Sequence, residues 1–260
     1  MRQLLASLLV LAFSAAGAPS LLAQSEQTVT IRGRAQVLRV YGPPDGQPAI
    51  VSSGDGGWIH LAPHVAEVLA GQGYFVVGFD ARAYLSHFTS GSSSLRPEDE
   101  LSDYFVLAEF AARVSHKKPI LIGVSEGAGL SVLAATDPRT KAAIAGVVGL
   151  GLPEVNELAW RTRDMLIYLT HGIPKEPAFS TTDIVSKVAP LPLALIHSTR
   201  DEFVPVSQVQ HILSAAGTPK QLWLIDAANH RFEDKLSEFD SRLLEAVRWV
   251  LQQTPQPQAH

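Results

Sequence analysis

Ser125 lies in Gly123-Val124-Ser125-Glu126-Gly127, a G-x-S-x-G pentapeptide set between two different patterns. Before it runs Pro119-Ile120-Leu121-Ile122, the apolar stretch of a buried strand; after it, small residues from Ala128 to Ala135 open a helix. With those flanks the pentapeptide predicts a nucleophile elbow. The turn is so tight that glycine is needed on either side, and the serine is held in strained backbone with its hydroxyl exposed above the sheet. A serine hydroxyl is a poor nucleophile at neutral pH and needs an adjacent base. An acid and a base both follow downstream, each just past a predicted strand. Residues 191–197 run into the polar turn 198–205, which carries Asp201, and residues 221–225 empty into a loop that carries His230. In the chain order Ser, Asp, His they form a triad: His230 takes and returns the proton, and Asp201 fixes the imidazole tautomer. Glu202 and Asp226 are the competing acids. Singly, each residue has a plainer reading, as turn chemistry, a surface histidine or a bystander serine.

The tetrahedral intermediate of such chemistry needs two preorganised N–H donors. One is the backbone of Glu126, the residue after the serine, and the other is expected from the loop after the third strand. That loop is Ser52-Ser53-Gly54-Asp55-Gly56-Gly57-Trp58, whose glycines let backbone amides approach a substrate oxygen. Asp55 is the first candidate for the second donor, with Gly56 beside it. Trp58 and the Glu126 side chain are the candidate substrate-binding groups. A Gly-rich loop after a strand also suits phosphate, but no P-loop lysine follows and the dinucleotide fingerprint is absent. His60 and His64 have a metal-like spacing, yet Pro63 lies between them and no carboxylate set accompanies them. No metal and no cofactor is expected.

The elements that must position these residues alternate strand with helix. A hairpin over 28–32 and 35–40 precedes strands at 49–51, 75–79, 120–122 and 144–150, with helices at 64–72 and 100–114 and after the elbow. That alternation predicts an α/β fold, a mostly parallel central sheet with helices on both faces. After the sixth strand comes a long connection, about 152–189, with Leu158, Met165, Leu166 and Leu169 in apolar periodicity and Trp160 and Tyr168 beside them. It reads as a small cap over the serine, or else as a packed helix without substrate contact. Residues 24–251 form one domain, and the polar tail 252–260 buries nothing and is expected to be disordered.

From Ala49 to the final helix the chain resembles an α/β-hydrolase. More narrowly, it is similar to the AcvB/VirJ bacterial virulence-protein family. The narrower resemblance is carried by residues 53–58, by Val77-Gly78-Phe79-Asp80-Ala81-Arg82-Ala83-Tyr84, by the Arg96-Pro97-Glu98 turn before an acidic helix, and by the elbow. It implies an exported serine hydrolase acting on an ester. Better-understood members of that family act on aminoacyl esters of phosphatidylglycerol. An aminoacyl or acyl ester of a phospholipid headgroup is therefore the implied substrate, and a peripheral membrane contact the implied partner. Glu126 departs from the family pattern, whose elbows carry an aromatic at that position. Facing the pocket, its carboxylate would attract a cationic lysyl or alanyl amine; turned into the helix or to solvent, it would not.

Composition narrows the remaining choices. At 260 residues the chain suits a single large domain, and 46% hydrophobic content is ample for a sheet covered on both faces. A net charge of -4 gives no electrostatic case for a nucleic-acid partner or for an anionic membrane surface. The absence of cysteine excludes disulfides, zinc–thiolate sites, a cysteine nucleophile and lipid attachment through sulfur. Met1-Arg2, an apolar stretch over 4–13 and small residues after it predict a signal peptide over 1–23, cleaved after Ala23 or retained as an anchor. Either form predicts a periplasmic or secreted domain. A serine peptidase, which uses the same triad, and a non-catalytic secreted binding module with a hydrolase fold are the alternative functions.

Overall fold

A computed structural model describes residues 25–161 and 176–253. Ser25–Ile31 (β1), exposed over its first four residues and alternating after them, and Arg34–Tyr41 (β2) pair antiparallel across Arg32-Gly33, both at positive φ as a tight hairpin demands. The next four strands, Pro48–Ser52 (β3), Phe75–Phe79 (β4), Ile120–Val124 (β5) and Gly146–Leu150 (β6), are buried throughout, as strands covered on both faces must be. Val155–Glu157 (β7) and Ala178–Ser180 (β8) form a separate antiparallel pair, and Leu193–Ser198 (β9) and Lys220–Ile225 (β10) return to the main sheet. Its order is β1-β2-β4-β3-β5-β6-β9-β10. Every pairing from β4 to β10 is parallel, while β2 runs antiparallel to β4. Ser52 lies opposite Gly123, and Val124 opposite Leu150, so the loops after β3, β5 and β6 leave the sheet side by side.

The described helices are Leu61–Gly71 (α1), Ala81–Phe88 (α2), Pro97–Ser115 (α3), Glu126–Ala134 (α4), Pro138–Ala143 (α5), Thr181–Ile184 (α6), Val206–Ala215 (α7) and Leu236–Gln253 (α8). Alternate strand residues feed two cores. Ile50, Val77, Leu121 and Leu195 pack under α2, α3, α4 and α7, whereas Val51, Val76, Ile122 and Ile196 pack under α1 and α8. Helix α8 shows why: Phe239, Leu243, Ala246, Val247 and Val250 recur at helical spacing and are all buried.

Several boundaries differ from the sequence expectation. Helix α2 was not anticipated; its start is set by Asp80, whose carboxylate accepts the Ala83 N–H at 3.0 Å. Helix α3 begins earlier than expected, at Pro97, because Asp99 accepts the Arg96 N–H at 3.1 Å and closes a capping box. Helix α8 runs through Gln253, two residues into the expected tail. The signal segment 1–23, residues 254–260, and Met165, Leu166, Tyr168 and Leu169 of the expected cap lie outside the described residues.

The described ends of the long connection are firmly tied. Leu158 is buried, and the Asn156 amide donates to Thr181 Oγ1 at 2.8 Å. A Cβ on Gly129 of α4 would fall 1.7 Å from Asn156 Oδ1, so that glycine makes room for the root of the insertion. Arg161 Nε donates to Glu176 Oε1 at 2.8 Å, with side chains only 17% and 4% exposed.

Candidate active site

Ser125 leaves β5 at φ 51° and ψ -119°, a region that costs a non-glycine residue about 1–3 kcal/mol. Its N–H donates to the Leu150 carbonyl at 2.8 Å, and its own carbonyl accepts the Ala128 N–H at 2.8 Å. The flanking glycines are required by close approach. A Cβ on Gly123 would sit 2.1 Å from the Gly127 carbonyl oxygen, and one on Gly127 would sit 2.3 Å from the Ser53 carbonyl oxygen. Gly127 thus lets the 52–58 loop press directly on the turn that carries the serine.

Asp201 and His230 meet above the ends of β9 and β10. His230 Nδ1 donates to Asp201 Oδ2 at 2.5 Å, with the Asp201 side chain fully buried and that of His230 9% exposed. The second oxygen, Asp201 Oδ1, accepts the N–H groups of Phe203 at 2.9 Å and Val204 at 2.8 Å. Burial by itself would raise the Asp201 carboxyl. The His230 hydrogen bond, the imidazole charge and the two backbone donors outweigh it and hold the group below the usual carboxylate range. An ionised Asp201 can only accept, so in the neutral imidazole the proton sits on Nδ1 and Nε2 carries the lone pair.

Three further groups hold the imidazole. Glu202 Oε2 accepts the His230 backbone N–H at 2.7 Å. The Phe203 ring meets the imidazole edge-on at 5.6 Å. Gly151, at φ +60°, lies directly against it: a Cβ there would be 2.4 Å from His230 Cε1 and 2.9 Å from Nδ1.

The competing residues fall elsewhere. Glu202 serves the His230 backbone rather than its ring. Asp226 is exposed, accepts Thr199 Oγ1 at 2.9 Å and pairs with Arg200 at 3.3 Å. His197 is buried behind Asp201, where its Nε2 donates to the Val204 carbonyl at 2.9 Å and burial pushes its pKa down.

Ser125 and His230 open into one cleft of about 360 Å³, shared with Gly54, Asp55, Gly56 and Glu126. Asp55 and Glu126, whose backbone N–H groups are the expected oxyanion donors, are thus both among the residues lining it. The cleft-side loop is braced from beneath. Tyr104 Oη donates to Ser52 Oγ at 2.9 Å, Ser53 Oγ accepts the Ala81 N–H at 3.1 Å, and Asp80 Oδ2 accepts the Trp58 N–H at 3.3 Å. Gly54 touches the serine itself, since a Cβ there would be 3.3 Å from Ser125 Cβ. Burial raises the Asp55 carboxyl above its ordinary range against the pull of the Gly56 N–H, His230 and Arg82. Glu126 is only 8% exposed, and its Oε1 is buried without a hydrogen-bond partner. Burial first, and then the charges of Asp55 and Glu157, push its carboxyl well above the usual range.

Trp58 does not line the cleft, contrary to the substrate-binding role expected from its place in the loop. Its indole fills a slot over Gly78 of β4, where a Cβ would be 2.4 Å from Cη2, and its Nε1 donates to Tyr41 Oη at 3.2 Å. His60 stands on the cleft rim, while His64 bonds Asp240 Oδ1 at 2.7 Å, so the two histidines serve different surroundings. Gly151, Asp80 and Tyr104 were missed by sequence reasoning. Gly151 at the end of an apolar strand and Asp80 ahead of Ala83 were the only local signals.

The family model for a bacterial virulence protein, VirJ, matches residues 47–199. That span contains the 52–58 loop and Ser125 and stops just short of Asp201. No curated protein matches the chain in sequence. Among solved structures, a membrane phospholipase A described as a bacterial virulence factor is similar, with TM-score 0.62 and 16% identity over 87% of this chain and 86% of that one. An esterase of Pyrococcus furiosus gives TM-score 0.66 and 19% identity over 88% and 90% of the two chains. A dienelactone hydrolase of Anabaena variabilis gives 0.61 and 18% over 88% and 99%. At these identities the likeness concerns architecture, and with the sheet order it gives the α/β-hydrolase fold.

Proposed function

We propose, from the premise that this chain belongs to the VirJ family of bacterial virulence proteins, that it is an exported serine hydrolase cleaving a carboxylic ester. The observation that carries the reading is the 2.5 Å bond between Asp201 and His230 at the edge of a cleft that also exposes Ser125 on a strained turn. In that reading Ser125 Oγ attacks the ester carbonyl carbon while His230 Nε2 takes its proton. The carbonyl oxygen becomes an oxyanion held by the backbone N–H groups of Asp55 and Glu126. Collapse expels the alcohol, which receives the proton from His230, and leaves an acyl-enzyme on Ser125. Water, deprotonated by the same imidazole, then releases the acid and restores the hydroxyl. The positive, then apolar, then small-residue pattern of residues 1–23 supports export to the periplasm or beyond.

An aminoacyl or acyl ester of a phospholipid headgroup is the substrate we favour. Asp55 and Glu126 both line the cleft, and burial raises both carboxyls. A substrate ammonium group near the scissile carbonyl would favour the ionised form of Glu126 and pair with its Oε1, which has no hydrogen-bond partner. The deciding experiment compares the wild type with Ser125→Ala on p-nitrophenyl esters and aminoacyl-phosphatidylglycerols, with fluorophosphonate labelling alongside. Turnover should fall by about 10⁴ to 10⁶ and labelling should vanish. Equal labelling of both proteins would end the assignment.

A further inference from the structure

Six large apolar side chains stand exposed among the described residues: Val37, Ile59, Val155, Phe203, Leu224 and Leu236. Three of them, Ile59, Val155 and Phe203, converge on the mouth of the Ser125 cleft. They come from separate segments: the loop before α1, strand β7 at the root of the insertion, and the loop after β9 that carries Asp201. Their exposures are 51%, 59% and 48%. Single apolar residues scattered over a surface are ordinary. Half of them gathered around one opening mark a surface that something covers. His60 and Arg231 stand on the same mouth, and Arg231 Nη1 meets Glu233 Oε1 only at 3.7 Å, with both side chains about half exposed. A solvent-exposed pair at that distance holds the guanidinium weakly and leaves it able to meet an anion.

We propose that this mouth is a docking rim for a phospholipid surface, with Ile59 and Val155 entering the boundary between headgroups and acyl chains, Phe203 flanking them from the imidazole side, and Arg231 meeting a phosphodiester. Apolar side chains beside a guanidinium are the composition of an in-plane contact rather than a spanning one. Among the described residues no helix is long and apolar enough to cross a membrane. A protein partner fits less well. A standard interface needs about 800 Å² on each side, and three half-exposed side chains around an open cleft supply only a fraction of that. Cleft size points the same way. At about 360 Å³ it lies near the lower end of ligand sites, roughly 300–1,000 Å³. It therefore admits the ester bond and its immediate substituents while long chains stay in the lipid phase. This last step rests on the hydrolase reading; the docking itself does not.

The test separates the two by measuring binding without turnover. Mature Ser125→Ala protein, beginning at Gln24, is sedimented with vesicles of phosphatidylcholine, with and without phosphatidylglycerol. It should partition onto the vesicles. Adding Ile59→Ser or Val155→Ser should each lower the partition coefficient about tenfold or more, the effect of withdrawing one well-buried aliphatic side chain. Val37→Ser and Leu224→Ser, which alter exposed apolar residues that do not line the mouth, should leave it unchanged. Arg231→Gln should weaken binding only where phosphatidylglycerol is present. Circular dichroism and the melting midpoint verify that each variant is folded. Docking is overturned if the parent protein stays in the supernatant, or if Val37→Ser weakens binding as much as Ile59→Ser. It is equally overturned if Ile59→Ser abolishes a dimer in sedimentation velocity while vesicle binding persists. Persisting activity in Ser125→Ala would instead overturn the hydrolase reading and leave the vesicle result standing.

Discussion

Gly151→Ala isolates the seat of the imidazole. The added methyl would fall 2.4 Å from His230 Cε1 where ordinary contact begins at 3.4 Å, so the ring must move by about 1 Å. Its Nδ1 is committed to Asp201 at 2.5 Å, and that displacement must lengthen the bond or swing Nε2 away from the serine. A misplacement of that size in a reacting group costs about 10²-fold in rate. The variant should therefore lose roughly that factor in kcat on p-nitrophenyl acetate, with little change in KM. Alanine at φ +60° also carries a left-handed backbone cost of about 1–2 kcal/mol. For a domain of this size that lowers the melting midpoint by roughly 2–8 °C. Gly33→Ala supplies the control, since Gly33 sits at φ +76° with nothing within 4 Å. It should share the loss of stability and keep its rate. A Gly151→Ala enzyme with wild-type kcat, or an equal loss of rate in Gly33→Ala, would refute the reasoning.

Asp201→Asn should lower kcat by about 10⁴-fold, because the amide no longer enforces the productive tautomer. The folded-state pKa of Asp201 is depressed, so its contribution to stability is present above the unfolded value of about 3.9 and is lost as pH falls through the lower folded value. Melting curves of the Asn variant should lack that acid limb; an identical acid profile would contradict it. Glu126→Gln should erase a preference of about tenfold to a hundredfold for amine-bearing over neutral esters, read as the ratio of kcat/KM values, and an unchanged ratio would remove Glu126 from recognition. Glu100 is fully buried on α3 with both oxygens unpartnered, and burial, followed by the charges of Asp103 and Asp137, drives its carboxyl well above the usual range. Its raised value favours the fold below the unfolded pKa of about 4.3, and that advantage is lost at ~1.4 kcal/mol per unit as pH rises toward the folded value. Glu100→Gln should flatten this slope in pH-dependent melts, and a slope equal to that of the wild type would show that Glu100 ionises freely.

Much of the architecture was legible because it is written locally. Runs such as Ile120-Leu121-Ile122 declare buried strands, and glycines mark the turn at Ser125. The carboxyl ends of parallel strands then indicate where Ser125, Asp201 and His230 emerge. What stayed hidden depends on residues distant in sequence. Asp201 was read as the acid that meets the His230 ring, but nothing local showed that its neighbour Glu202 reaches the His230 backbone. Trp58 looked available to a ligand because nothing near it reveals that Gly78, across the sheet, leaves a slot of its size. Gly151 could have been any strand-terminal glycine; its positive φ and its contact with the imidazole exist only once β6 and the last loop are brought together.

The Arg161–Glu176 pair has a consequence for how such a protein can diversify. It clasps the two ends of residues 162–175 at 2.8 Å, while Asn156 fastens the same root to α4. Closure of that stretch is thereby settled at its base, independently of what the intervening residues are. Doubling the length of a loop whose ends are already held costs only about 0.6 kcal/mol. The segment is therefore an exchange point: sequences of different length and chemistry can be grafted between Arg161 and Glu176 while the sheet and the Ser125 turn keep their frame. Libraries built at that junction would vary the insertion without asking the hydrolase scaffold to refold around it.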